Sequence, residues 1–254
     1  MQAGQWRADP AWRRIDLLSD VHLRAAAPKT FKAWKKHLLH GPADAVLMLG
    51  DLFEVWLGDD ARHQGFEHEC AEVLRTAAGR KPLAFMHGNR DFLVGVDLAR
   101  EVGMSMLADP TLAQAWGQRV LLSHGDALCL ADVEYQRFRA EVRSPAWQQT
   151  FLKLPLAERI QRVRAMRQAS VQHQAALREE DLADVDAALV STWLEDANAT
   201  LMVHGHTHRP ALHRLAGGRV RHVLGDWDFD GLPRRARILC WTAQGFEALD
   251  LGLP

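Results

Sequence analysis

Apolar positions in the first half of this 254-residue chain fall in short continuous runs, each followed within two residues by aspartate, histidine or glycine. The runs at 14–18, 45–49, 83–86 and 119–123 are the length of buried strands. Between them, 30–39 and 67–78 carry helical patterns. Such alternation predicts a layered α/β fold, with ligands gathering at the carboxyl ends of the strands. The middle differs: from Asp126 to His204 there is no glycine, and Pro145 and Pro155 are the only prolines. Helix formers fill 146–153, 156–174 and 181–195, and Leu156, Ile160, Val163 and Arg167 recur at spacings of three and four. The chain therefore divides into a core of 13–131 with 197–254 and a helical cap insertion, 132–196. Runs at 201–203, 219–224, 237–241 and 246–251 read as strands again, in hairpins that complete a second sheet.

Composition narrows the class. A hydrophobic share of 48% and a net charge of -1 fit one well-cored domain, and they argue against a nucleic-acid protein that relies on bulk positive charge. Three cysteines, Cys70, Cys129 and Cys240, without CxxC spacing read as ordinary thiols in a reducing compartment. The stretch from Met1 to Trp12 has no apolar segment of the secretory type, and no run is long enough to span a bilayer. A cytoplasmic location is expected, with peripheral membrane contact still open and no obligate protein partner.

The polar residues after the strands carry the chemistry. In order they are Asp20-Val21-His22, Gly50-Asp51, Gly88-Asn89-Arg90-Asp91, His124-Gly125-Asp126 and Gly205-His206-Thr207-His208. Residues two apart leaving a strand point to the same side, so Asp20 and His22 can share one metal. Asp51 is the natural bridge between two cations about 3.5–4 Å apart. Asn89 offers a neutral oxygen, and His124, His206 and His208 complete the shells. Oxygen and imidazole donors without thiolate suit Mn²⁺, Fe²⁺ or Zn²⁺ rather than a structural zinc. Glu54 and Asp126 are expected to orient the histidines rather than to ligate.

The ordered set resembles the calcineurin-like metallophosphoesterase superfamily, with its DxH, GD, GN, histidine and GHxH elements. More narrowly, Ser19–Leu23, Gly50–Glu54 with Gly58-Asp59-Asp60, and His87–Phe92 are similar to the UDP-2,3-diacylglucosamine hydrolase family. So are His124–Cys129, Tyr135–Arg139 and His204–Pro210. The likeness runs from about Ile15 to Trp227. It implies a four-layer α/β/β/α sandwich, two divalent ions (Mn²⁺ expected) and hydrolysis of a nucleotide-linked diacyl sugar lipid at the cytoplasmic face of the inner membrane. The products would be UMP and 2,3-diacylglucosamine 1-phosphate, in lipid A synthesis. Water activated between the two ions would attack the α-phosphorus in line. By the same likeness, Asp51, Asn89, Arg90 and His206 carry catalysis, and Asn89, Arg90, Asp132, Ser170, Gln174 and His206 touch substrate.

Arg90 gives the narrowing a physical reason. Many superfamily members place a histidine there, able to protonate an alkoxide. A pyrophosphate releases a phosphate monoester with a second pKa of about 6, so a guanidinium that holds phosphate oxygens serves better than a proton donor. The competing use of Arg90 is an ion pair with Asp91. The family's cap carries two lysines that the matching stretch here lacks; either Arg167 or Arg178 takes over, or this member uses a shorter or different acyl substrate. The apolar cluster of Trp147, Phe151, Leu152, Leu154 and Leu156 has two readings: packing of the cap on the sandwich, or insertion at a membrane interface. Two rival functions stay open. One is a related dinuclear metallophosphoesterase acting on another nucleotide diphosphate or phosphodiester. The other is a non-catalytic scaffold, which the filled ligand positions disfavour.

Overall fold

The computed structural model describes residues 2–176 and 184–252, with the side chains of 169–176 left out. Twelve strands form two six-stranded sheets. The first has the order β12 (Gly245–Asp250), β11 (Arg237–Thr242), β2 (Arg14–Leu18), β3 (Ala45–Leu49), β4 (Leu83–Met86), β5 (Met104–Leu107). From β2 to β5 every pairing is parallel; β11 and β12 add antiparallel. The second runs β1 (Gly4–Arg7), β6 (Thr111–Ala115), β7 (Gln118–Ser123), β8 (Leu201–His204), β10 (Val220–Val223), β9 (Ala211–Arg214), with β7, β8 and β10 parallel.

Side-chain patterning explains the layers. In β3 all five residues are buried, as a parallel strand covered on both faces requires. One apolar cluster lies between the sheets: Ile15, Leu17 and Leu47 meet Ala113, Val120, Leu122 and Val203. On the outer face of the first sheet pack α1 (Pro28–His40), α2 (Gly65–Ala78) and α3 (Val96–Val102). The buried face of α1 (Thr30, Ala33, Trp34, His37, Leu38) follows the three-and-four spacing of an amphipathic helix, with Pro28 in its first turn. A third cluster joins Leu112, Leu121 and Met202 of the second sheet to Val190 and Leu194. These clusters agree with α/β/β/α layering.

One expectation changes. The carboxy-terminal hairpin completes the first sheet, because β11 pairs with β2; local alternation marks a hairpin but not the strand it joins. Of the two sheet regions, β7 belongs to the second, with β8. The segment 132–196 holds α4 (Val133–Val142), α5 (Pro145–Leu152), α6 (Leu156–Ala176) and α7 (Ala187–Asp196). Of these, α7 supplies Val190 and Leu194 to the cluster on the second sheet. Phe151 is buried in the core with Trp147 and Leu154 against it, while Leu152 stays exposed. No described helix is long and apolar enough to cross a membrane.

Candidate metal centre

Each candidate ligand sits one to four residues past the carboxyl end of a strand: Asp20 and His22 after β2, Asp51 after β3, Asn89 after β4, His124 after β7, His206 and His208 after β8. Backbone bonds weld these loops: Asp20 N donates to Gly50 O (3.0 Å), His22 N to Asp51 O (3.0 Å) and Gly205 N to His124 O (2.9 Å). Gly88 packs so closely on Asp51 that a Cβ there would collide with its carboxylate and amide. Among the described residues seven non-glycines have positive φ, and Asp20, His22, Asp51, His206 and His208 are five of them. Left-handed backbone costs of order 1 kcal/mol or more per residue and clusters where function holds it.

The side chains converge in two overlapping groups. Asp20, His22 and His208 offer atoms within 4.8 Å of one another, and so do Asp20, Asp51 and His124. His22 Nε2 lies 3.2 Å from His208 Nε2, which is 3.3 Å from Asp20 Oδ1. Asn89 Oδ1 sits 3.0 Å from His124 Nε2 and 2.9 Å from His206 Nδ1, so it joins the second group to His206. His124 Nδ1 donates to Leu49 O (2.9 Å), which aims Nε2 at the centre.

The electrostatics suit cations. Burial pushes the Asp51 carboxyl up to about 7, and Asp91 and Asp20 add to the rise. Burial lowers His22 to about 4 and His206 to about 3, which leaves imidazole lone pairs free to ligate. Burial also opposes charge on His124, yet the carboxylates of Asp51, Asp126 and Asp20 raise it to about 9. A site that crowds buried carboxylates and borrows protons to balance them fits divalent metal.

Around this centre the partners differ from several expectations. Arg90 Nη1 reaches Glu54 Oε1 at 3.2 Å and its Nε lies 3.9 Å from Asp51, and the competing pair with Asp91 is not among its contacts. Asp91 instead accepts from the amides of Gly88 (2.8 Å), Leu52 (2.7 Å) and Phe53 (3.2 Å) and fixes the loop. Glu54 approaches His22 Nδ1 at 3.4 Å, but it chiefly gathers arginines: Arg90, Arg167 from α6, and Arg24 at 3.8 Å. Asp126, expected to orient histidines, accepts from Tyr135 Oη (2.6 Å), Arg139 (2.8 Å) and Arg143 (3.1 Å). It therefore anchors α4, whose Tyr135 ring stacks on His206 at 6.0 Å, while Arg143 also donates to Gly88 O (3.0 Å). Asp132 caps α4 by accepting from Tyr135 N (2.9 Å). The side chains of Ser170 and Gln174, and Arg178 entirely, lie outside the described residues. Sequence reasoning passed over Arg24 and Asp226. No motif spacing marks them; the Leu23–Phe53 bridge sets Arg24 beside Glu54.

Residues 13–210 match the calcineurin-like phosphoesterase domain. A UDP-2,3-diacylglucosamine hydrolase of Stenotrophomonas maltophilia (strain R551-3) is 40% identical over 236 residues, 89% of this chain and 95% of the relative. One of Bordetella parapertussis is 41% identical over 254 residues, covering 95% of each. This chain belongs to the UDP-2,3-diacylglucosamine hydrolase family of calcineurin-like phosphoesterases. It is a metal-dependent hydrolase, and its ligand clusters provide a divalent-metal site. Vacuolar protein sorting 29 from Cryptosporidium parvum shares the fold: TM-score 0.50, 13% identity, 95% of this chain and 92% of that one covered.

Proposed function

We propose that this hydrolase cleaves the pyrophosphate bond of UDP-2,3-diacylglucosamine, releasing UMP and 2,3-diacylglucosamine 1-phosphate. The observation that carries the reading is the meeting of Arg24, Arg90 and Arg167 at the single carboxylate of Glu54 beside the metal ligands. Three guanidiniums gather on Glu54, with Asp51 a further anion 3.9 Å from Arg90, and together they offer more N–H donors than these carboxylates use, donors that a diphosphate can take up. The relatives bearing that hydrolase name support the substrate.

Asp20, His22, Asp51, Asn89, His124, His206 and His208 would hold two divalent ions, with Mn²⁺ our choice. When bound, such ions supply Lewis acidity toward phosphoryl oxygen and ionise water near neutral pH. Arg90 holds the diphosphate through the fork of its guanidinium and offsets charge as the anhydride P–O bond breaks. Water oxygen bonds to the α-phosphorus, and the sugar 1-phosphate leaves without a proton donor, its second pKa being about 6. His206 stays neutral and positioned between Asn89 and the Tyr135 ring. Asp132, Ser170 and Gln174 remain our candidates for contacts to the sugar.

We keep 132–196 as the helical insertion over the core of 13–131 and 197–254; within it α7 supplies Val190 and Leu194 to the cluster on the second sheet. We place the enzyme at the cytoplasmic face of the inner membrane, where exposed Leu152 and the neighbouring Lys153 of the cap can meet anionic lipid. Purified protein with Mn²⁺ should release UMP from UDP-2,3-diacylglucosamine. Cleavage of generic phosphodiesters alone would favour another substrate and remove this reading.

A further inference from the structure

A cavity of about 220 Å³ adjoins the metal centre on the flank of His22 and His208. Half of its lining is charged: Arg24, Arg90 and Arg235 for cations, Glu54, Asp226 and Asp228 for anions. The apolar residues among its lining, Val21, Ala27 and Trp227, are almost wholly buried beneath it. Acyl chains have nothing to lie on here.

The other flank contrasts with it. Tyr135 of α4 and Arg143 at its carboxyl cap approach His206 and Gly88, and the exposed Val133 and Phe138 belong to the same helix. The centre thus has a charged cavity beside Asp20, His22 and His208, and a cap helix beside His206 and Asn89. An anhydride cleaved in line has its two halves on opposite sides of the broken bond. Arg90 lines the cavity while holding Glu54 and approaching Asp51, so it stands where the phosphate enters.

We propose that the cavity between Arg24 and Asp228 is the subsite for the nucleoside monophosphate half of the substrate. Arg24 is half exposed and lies 3.8 Å from Glu54, too long for a hydrogen bond, so its donors can turn to a phosphate or a uracil carbonyl. Asp228 uses Oδ1 to accept from the amides of Asp230 (3.0 Å) and Gly231 (2.6 Å), which fixes the carboxylate, and Oδ2 lies 3.9 Å from Arg235. That oxygen is an acceptor for a ribose hydroxyl. The proposal rests on the hydrolase reading above and adds which half binds where.

Calorimetric titration of metal-loaded protein with UMP, uridine and inorganic phosphate tests it, beside turnover of UDP-2,3-diacylglucosamine. Arg24→Ala should weaken UMP about tenfold, the effect of one lost charge-assisted hydrogen bond. Asp228→Asn should weaken UMP and leave inorganic phosphate unchanged. Metal content should match the wild type in both variants. UMP affinity unchanged in both variants, or wild-type protein binding phosphate as tightly as UMP, overturns the subsite. Wild-type protein that binds UMP through Arg24 and Asp228 but leaves the diacyl substrate intact would instead overturn the substrate assignment while supporting the subsite.

Discussion

Asp51 is buried with Asp20 and Asp91 as neighbouring carboxylates, and its carboxyl is pushed up to about 7 chiefly by burial. A fold tolerates such crowding when a cation balances it. Asp51→Ala should therefore lower bound metal from two ions per chain to at most one and reduce turnover by about 10³-fold. Metal analysis beside kinetics checks this, and unchanged turnover would sink the two-ion mechanism. Away from the centre, His37 Nε2 lies 3.3 Å from Asp16 Oδ2 inside the α1 face, and burial lowers its pKa despite that carboxylate. The unfolded imidazole takes its proton near 6.5, so the unfolded state binds more protons and stability falls as pH drops below about 6.5. His204, lowered by burial to about 4, acts in the same window. Denaturant titrations at pH 7.5 and 5.5 should show a smaller loss for His37→Gln than for the wild type. Equal losses would remove His37 as a cause.

Among the elements, α6 is held to the core by a residue that its sequence does not distinguish. Arg159 is 2% exposed; it donates to Leu57 O and Asp60, and Gly58 at φ 125° leaves the room it occupies. In the sequence it is one of many cap arginines, most of which read as a solvated helix face, because what selects it is a loop distant along the chain. The same limit explains the hairpin β11–β12, legible as a hairpin but not as part of the first sheet. It also explains the short strands β1, β5, β6 and β9, whose four or five residues carry no lasting alternation. Strands buried along their whole length, such as β3 and β4, were legible even at five and four residues, and so were the ligand loops after them, because burial and metal chemistry each restrict residue type. Asp60 is 60% exposed, so Asp60→Asn should cost under about 1 kcal/mol. Arg159→Leu leaves the Leu57 carbonyl without its donor and should cost about 2–3 kcal/mol. Limited proteolysis should cut the cap of Arg159→Leu faster than that of the wild type, with Asp60→Asn close to the wild type. The reverse order would show that the surface charge, not the buried guanidinium, holds the helix.

At the scale of the whole molecule, five loops from two sheets meet at one centre, and the sheets do not need that centre to pack. The three apolar clusters lie between the sheets and under the helices, and the candidate ligands are not members of them. Metal should therefore stabilise the chain without being required for folding, unlike a small zinc domain. The gain has a local source: the ions relieve repulsion among Asp20, Asp51 and Asp91 and hold five ligands in left-handed backbone. Because metal binds the folded state, an ion at a hundred times its Kd adds about 2.7 kcal/mol. For a chain of this size that is a rise in Tm of roughly 5–10 °C. Chelator-treated protein should keep its far-ultraviolet circular dichroism at 25 °C, melt lower by that amount and recover on addition of Mn²⁺. Loss of secondary structure on chelation would mean that the metals hold the sheets together. An unchanged Tm would mean that the converging carboxylates and imidazoles bind no metal tightly, and the centre would then have to be assigned another role.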